Sequence, residues 1–466
     1  MNPRAKQFFE DIKNKHVFFL GAGISHKQLM PKFARSGAKV TMCDHKTRDK
    51  FPEYCSELEA LDIELILGEG YLDKLDGADM IFRSPGIDYT KPEIQSAVKA
   101  GIEVTSEIET FFKLCPAKTV GVTGSDGKTT TTTLIAEMLK AAGYNVFLGG
   151  NIGTPLLPII EDVTENDIAV VELSSFQLIS MKQSPDIAVV TNLSPNHLDH
   201  HASMEEYVDA KRNILTYQSA DSLAVLNLCN DITKGFSIDV RGELRWFSSR
   251  KPVDNGTYID DAHNLVVSQN QTETIIMNLD GIKLPGAHNR ENVAAAVAAV
   301  MTLVPDNVIR QVASEFPGVE HRIELVTEKY GIRWYNDSIG TSPTRTIAGL
   351  RSFEQKIVLL AGGYDKKISY APLAPEIIEH TRYLLLCGDT AKIIREEIEK
   401  HDGYNPAELV IEMTSGLEES VKRAHEIARE GDVIMMSPAS ASFDSYPNFE
   451  ARGEHFKSLV NELAGL

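Results

Sequence analysis

The chain has 466 residues, 42% of them apolar, too long for one ordinary core and enough to fill about three domains. Its 66 acidic against 47 basic residues give a formal charge of −19, which argues against nucleic acid or an anionic membrane as the main partner. Five scattered cysteines without CxxC spacing argue against a zinc cage or a disulfide framework and suit reduced thiols in a cytoplasmic protein.

The opening MNPRAKQFFEDIKNK has acids where an export signal needs an apolar core. The longest apolar run, near Val293 to Val304, is mostly alanine and contains Thr302, so no membrane insertion is expected. Residues 16–23 (HVFFLGAG) predict a buried strand entering a glycine turn, and 39–44 (KVTMCD) predict a second strand ending in an acid. This is a Rossmann-like opening. Asp44 lies 23 residues after Gly21, as an NAD site requires, but the third glycine of GxGxxG falls on His26. The GxG therefore stays open between NAD, another nucleotide and tight packing. Ala78 to Phe82 predict another strand, Ser84-Pro85-Gly86 follow at its ligand-binding edge, and GIEVTS (101–106) completes the sheet, with a boundary near 105.

KTVGVTGSDGKTTTTT (118–133) comes next: a β-branched run, the turn Gly124-Ser125-Asp126-Gly127, and a helix from Lys128 to Gly143 with Leu134, Ile135, Met138 and Leu139 on one face. Such a turn closes backbone N–H groups round phosphate oxygens, the helix N-terminus adds positive dipole, Lys128 can reach terminal phosphates, and the Thr129 hydroxyl can ligate Mg²⁺. ATP or GTP is the expected guest. The general P-loop pattern is imperfect, because its first glycine falls on Val122.

Three further apolar strands, in 146–153, 168–178 and 187–201, each end in polar residues. In an open parallel sheet these ends share one crevice, so Asn151, Glu172, Asn192 and His197 should gather near Lys128. Glu172, ending a four-residue apolar run, reads as a Mg²⁺ ligand or as a salt-bridged acid. His197, His200 and His201 sit on a loop without cysteine, which argues against zinc; His197 is expected to face a nucleotide-bound metal. MEEYVDAKRNIL is an amphipathic helix with Met204, Tyr207 and Ile214 on its apolar side, where Lys211 ordinarily reads as solvated. Short β-type runs in 221–284 suggest an antiparallel patch on the central sheet. PGAHNRENVAAAVAAV then leads into an alanine-rich helix, with Asn289 and Asn292 able to meet a nucleobase. A boundary near 316–318 precedes WYNDS, KIVLLAGG, YLLLCGD and DVIMMSPAS, the strands of a third α/β domain.

The octamer TGSDGKTT closely resembles the phosphate loop of the Mur ligases and folylpolyglutamate synthetases. The resemblance extends through GAGIS, SPG, GNIG, ELSSFQL, NLSPNHLDHH, PGAHNRENV, HRIE, NDSIGTSPTRT, AGGYDK and SPASASFDSYPNFEARGEHF. This order resembles the D-glutamate-adding branch of the Mur ligase family, and the DNPR motif of the diamino-acid branch is absent.

The resemblance implies an α/β fold of three domains: a Rossmann-like UDP-sugar-binding domain over 1–105, a central ATP-binding P-loop domain over 106–318, and a Rossmann-like amino-acid-binding domain over 319–466. It implies UDP-N-acetylmuramoyl-L-alanine and D-glutamate as substrates of a cytoplasmic, monomeric enzyme. ATP phosphorylates the alanine carboxylate, the amine attacks the acyl phosphate, and ADP and phosphate leave. Gly124, Ser125, Asp126, Gly127, Lys128, Thr129 and Thr130 would hold the phosphates, with Arg322 as a further cation. Asn289 and Asn292 fall to adenine and Asp337 to ribose. Thr129, Glu172, His197 and a carbamylated Lys211 would serve two Mg²⁺ sites. Ser25, Asp44, Ser84, Gly86 and Asn151 match the UDP-sugar side; Thr341, Lys366, Ser442 and Phe449 match the D-glutamate pocket. Lys128, His197, Lys211, Arg322 and Lys366 carry the catalytic roles. Ile339 departs from the lysine of many relatives, so either Lys366 or Lys367 covers that charge or the pocket differs. Ser442 and Phe449 also read simply as a helix cap and a core aromatic. Two rivals are another amide ligase of this superfamily and a non-catalytic nucleotide-binding regulator.

Overall fold

The computed structural model describes residues 2–194 and 203–465. The chain forms two compact units, Met1–Leu279 with Glu291–Val312, and Asp280–Arg290 with Ala313–Leu466.

The first unit begins with β1 (His16–Leu20), β2 (Lys39–Asp44), β3 (Glu64–Leu67), β4 (Met80–Arg83) and β5 (Glu103–Thr105), a parallel sheet in the order β3-β2-β1-β4-β5. Order reverses between β1 and β4, the place where such sheets bind ligands. The turn after β1 carries Gly21 at φ +95°, and a Cβ there would stand 3.0 Å from that of Ser84 at the end of β4. His26, at the third-glycine position, is a fully buried imidazole bonded to the Gly21 carbonyl at 2.8 Å. Burial pushes its pKa down to about 4, so it serves as a neutral filler between helix and strand.

The second sheet contains β6 (Lys118–Thr123), β7 (Val146–Gly150), β8 (Ile168–Glu172), β9 (Ile187–Val190), β10 (Leu223–Asn227), β11 (Glu243–Ser248), β12 (Gly256–Ile259), β13 (Asn264–Gln269) and β14 (Thr272–Asn278). Its order is β14-β13-β12-β11-β10-β9-β6-β8-β7, so β6 stands where the chain departs to either side. The 221–284 segment differs from expectation. Its β10, β11 and β12 continue the parallel sheet, and only β13 and β14 run antiparallel, joined by tight turns. The fully buried Leu223–Asn227 run needs cover on both faces, which a parallel strand has.

The second unit holds β15 (Glu324–Lys329), β16 (Ile332–Asn336), β17 (Ile357–Ala361), β18 (Thr381–Leu386), β19 (Val410–Met413) and β20 (Val433–Met436) in the order β15-β16-β20-β17-β18-β19. All pairs are parallel except β15 with β16, giving a third doubly wound α/β layer. Among the described residues no helix is long and apolar enough to cross a membrane.

Candidate active site

Between β6 and the helix Lys128–Ala141 the chain turns through Gly124 at φ +152° and Gly127 at φ +76°. A side chain at Gly127 would also collide with Asn292 Oδ1, and one at Gly124 with Thr191 Oγ1, so both positions demand glycine twice over. The loop is held from the neighbouring strand end. Thr191 Oγ1 donates to the Asp126 carbonyl at 2.6 Å, and Asn192 Oδ1 accepts from the Asp126 N–H at 2.9 Å. Ser125 Oγ lies 2.9 Å from the Tyr207 hydroxyl and donates to the Ser194 carbonyl at 3.1 Å. A loop braced on three sides keeps its N–H groups aimed without reorganisation when an anion arrives.

Lys128 Nζ folds back on this loop, donating to the Gly124 and Ser125 carbonyls at 3.0 and 2.8 Å. Thr129 is half-buried in the first helical turn and Thr130 is buried beneath it. Asn292 is buried against the same turn, where its Oδ1 accepts from Thr131 Oγ1 at 3.4 Å.

Glu172 ends β8 and is 1% exposed. Its Oε1 accepts from Asn151 Nδ2 at 2.8 Å, while Oε2 is buried without a hydrogen-bond partner. No ion pair among the described residues includes it. A carboxylate oxygen left bare in the interior is costly, and a hard divalent cation offsets that cost. The donor set present, Glu172 with the Thr129 hydroxyl, fits Mg²⁺. His197 lies outside the described residues, as do His200 and His201.

Lys211 is 2% exposed, on the helix Met204–Thr216. Its Nζ donates to the Gly124 carbonyl at 2.9 Å and to Thr123 Oγ1 at 3.2 Å, above the Tyr207 ring. Burial first, and the Lys128 charge second, hold its amine well below the ordinary lysine value, with Glu172 opposing. The solvated reading of this residue is overturned: one turn apart, Tyr207 and Lys211 both point at the phosphate loop.

Asn151 also lines a cavity of about 200 Å³ with Ser25, Pro85, Glu107 and Gln177. Residues drawn from β1, β4 and β7 termini thus meet at one hollow whose far wall bonds Glu172. Ser84 and Gly86 flank Pro85. Asp44 accepts from the backbone N–H of Ala22 and of Lys46, both at 2.8 Å, and so braces the glycine turn. Glu107 escaped the sequence reading. It is 5% exposed, and its Oε1 accepts from the N–H groups of Leu156 and Leu157, both at 2.7 Å.

In the second unit, Asp337 is buried at the end of β16, accepting from Ser437 Oγ at 2.5 Å and the Ile323 N–H at 3.3 Å. Burial pushes its pKa up to about 6, against the pull of Ser437 and of the half-buried Arg322. Asn289 Nδ2 donates to the Pro285 carbonyl at 2.6 Å. Lys366 Nζ donates to the Thr341 carbonyl at 3.0 Å, which brings those two residues together. Ser442 is buried, and the Phe449 carbonyl accepts from Ser338 Oγ at 2.8 Å while its ring meets His321 edge-on. A larger cavity of about 570 Å³ opens between β17 and β20 over Gly362, Gly363 and Arg452; none of Thr341, Lys366, Ser442 or Phe449 lines it.

Three family descriptions match this chain: Mur ligase MurD-like N-terminal domain over residues 15–106, Mur ligase middle domain over 122–300, and Mur ligase glutamate ligase domain over 321–440. The UDP-N-acetylmuramoylalanine--D-glutamate ligase of Acetivibrio thermocellus is 51% identical over 467 residues, covering 99% of this chain and 100% of that one. The chain belongs to the Mur ligase family. A Clostridium botulinum protein of the same name is 47% identical over 463 residues, again covering 99% of this chain and 100% of its own length. Among solved structures, the UDP-N-acetylmuramate-alanine ligase of Thermotoga maritima aligns with a TM-score of 0.58 at 18% identity, over 96% of this chain and 100% of that one. A UDP-N-acetylmuramoyl-L-alanyl-D-glutamate--2,6-diaminopimelate ligase aligns at 0.56 and 16% identity, over 98% of this chain and 94% of that one. At these identities the structures support the family's three-domain α/β fold.

Proposed function

We propose that this chain is the ATP-dependent ligase that joins D-glutamate to UDP-N-acetylmuramoyl-L-alanine in peptidoglycan precursor synthesis. The observation that carries the reading is the full-length match, at 51% identity, to a protein named for that reaction. The loop geometry supplies the chemistry. Phosphoryl transfer to a carboxylate brings anions together, so its catalysis is positioning and charge neutralisation. Lys128, folded onto the Gly124 and Ser125 carbonyls of its own loop, would turn from them to meet a terminal phosphate. The N–H groups of Gly124 to Thr130 hold the phosphate chain, Asn292 and Asn289 take the base, Asp337 the ribose, and Arg322 adds charge.

Mg²⁺ held by Thr129, Glu172 and His197 would neutralise charge on the transferred group and on its acceptor. Lys211, whose pKa burial holds well below the ordinary lysine value, is suited to carbamylation; the new carboxylate would supply a ligand for a second Mg²⁺. Ser25, Asp44, Ser84, Gly86 and Asn151 serve the sugar nucleotide, whose alanine carboxylate is led by Asn151 towards Glu172. Thr341, Lys366, Ser442 and Phe449 hold D-glutamate with its amine free to attack the acyl phosphate. A monomer in the cytoplasm, serving cell-wall growth and division, completes the reading. ADP release that requires D-glutamate and the sugar nucleotide together tests it; release with L-alanine in place of D-glutamate would assign another branch of the family.

A further inference from the structure

Arg83 is among the largest fully buried side chains of the chain, 2% exposed at the end of β4, and no described ion pair includes it. Its guanidinium faces two ways. On one side Nη1 donates to the Ile87 carbonyl at 2.7 Å, closing the Ser84-Pro85-Gly86 turn. On the other, Nη2 donates to the Phe176 carbonyl at 2.9 Å and to Ser180 Oγ at 3.1 Å, just beyond the Glu172 strand. Ser180 Oγ in turn donates to Glu109 Oε1 at 2.6 Å, and Glu109 is 6% exposed. The result is a relay of cation, hydroxyl and carboxylate joining the first sheet to the second.

The two segments clasped by Arg83 carry Pro85 and Gln177, which both line the 200 Å³ cavity that Ser25 and Asn151 also line. Arg83 does not line that cavity. We infer that Arg83, with Ser180 and Glu109, is a positioning device that sets the width of the sugar-nucleotide cavity by tying two parts of its lining, contributed by different sheets, to one buried fork. The inference rests on the ligase reading for the identity of the ligand. A fork suits the task because a planar guanidinium fixes several acceptors in one geometry, whereas an ammonium is a point donor on a flexible stem. Glu109 supplies the countercharge that makes burying the guanidinium tolerable, and the half-buried Ser180 hydroxyl links the two.

The test compares wild type with Arg83→Lys, with Arg83→Met, and with the double variant Arg83→Met/Glu109→Gln, which removes both charges and keeps the fold testable if Arg83→Met alone does not fold. Each is assayed for the Michaelis constants of UDP-N-acetylmuramoyl-L-alanine and of ATP, and for UDP binding by calorimetry. The expected result is a sugar-nucleotide KM raised about tenfold or more, the order that a small misplacement of a binding wall produces, with ATP KM within about twofold and partial recovery in Arg83→Lys. UDP affinity falls in the same variants. Loss of active enzyme with both constants unchanged, or an equal rise in both, would reduce the relay to fold support and overturn the inference. If wild type turns over no sugar nucleotide, the ligase reading fails instead, and the UDP-binding contrast alone then decides the role of Arg83.

Discussion

Glu107→Gln isolates a single buried proton. The Glu107 carboxyl is 5% exposed, and burial pushes its pKa from 4.5 up to about 7 even though two backbone N–H groups pull the other way. Because the folded value lies above the unfolded one, the folded chain keeps a proton between pH 4.5 and about 7 that the unfolded chain has released. Stability from this group is therefore full below the unfolded value and is lost as pH rises towards the folded value. At about 1.4 kcal/mol per pH unit the loss is about 3 kcal/mol. For a large unit that corresponds to a melting shift on the order of 5 °C. Glutamine keeps an acceptor for Leu156 and Leu157 but does not titrate, so any fixed cost of the substitution cancels in a comparison across pH. The assay is the melting temperature of both proteins at intervals from pH 5 to 8. Wild type should lose ground to the variant by that amount, nearly all of it below pH 7. A difference between the two that stays constant with pH would refute the reasoning, and one that grows in wild type's favour would reverse its sign.

Lys128→Ala should keep its circular dichroism spectrum while ligation falls by about 10²-fold or more, since one transition-state cation is lost and the loop retains its braces from Thr191 and Asn192. Lys211→Ala should be nearly inactive and partly rescued by acetate, whereas Lys211→Arg should not be rescued; full activity without additive would remove the proposed metal role. Lys366→Ala should raise the KM for D-glutamate far more than that for ATP, and the opposite split would move Lys366 to the nucleotide.

What the sequence discloses here is local chemistry. The run Lys39–Asp44 and the entry of the helix at Lys128 are found where spacing and β-branching put them, because strand and glycine turn are written in adjacent residues. The half-exposed edge strands β3 and β19 escaped, since short runs with partly polar faces look like loop. Strand direction in β10 to β12 was misread because turn residues mark where strands end and not which neighbour they choose. Glu172 was legible as a buried acid needing compensation; its bare Oε2 was not, because that depends on what fails to arrive from elsewhere. Lys211 could be placed on the face of Tyr207, but its near-complete burial follows from packing against a loop 87 residues away. Glu107 meets Leu156 49 residues along the chain and Arg83 reaches Phe176 93 residues along, so these long-range contacts leave no local mark.

The central claim is that the alanine carboxylate is activated by phosphorylation before D-glutamate attacks. UDP-N-acetylmuramoyl-L-alanine labelled with ¹⁸O in its alanine carboxylate tests this most directly, with ATP, Mg²⁺ and D-glutamate present and the released phosphate analysed by mass. One carboxylate oxygen bonds to phosphorus and leaves with it when the amine displaces phosphate, so each phosphate formed should carry one ¹⁸O. Unlabelled phosphate, or cleavage of ATP to AMP, would contradict the account.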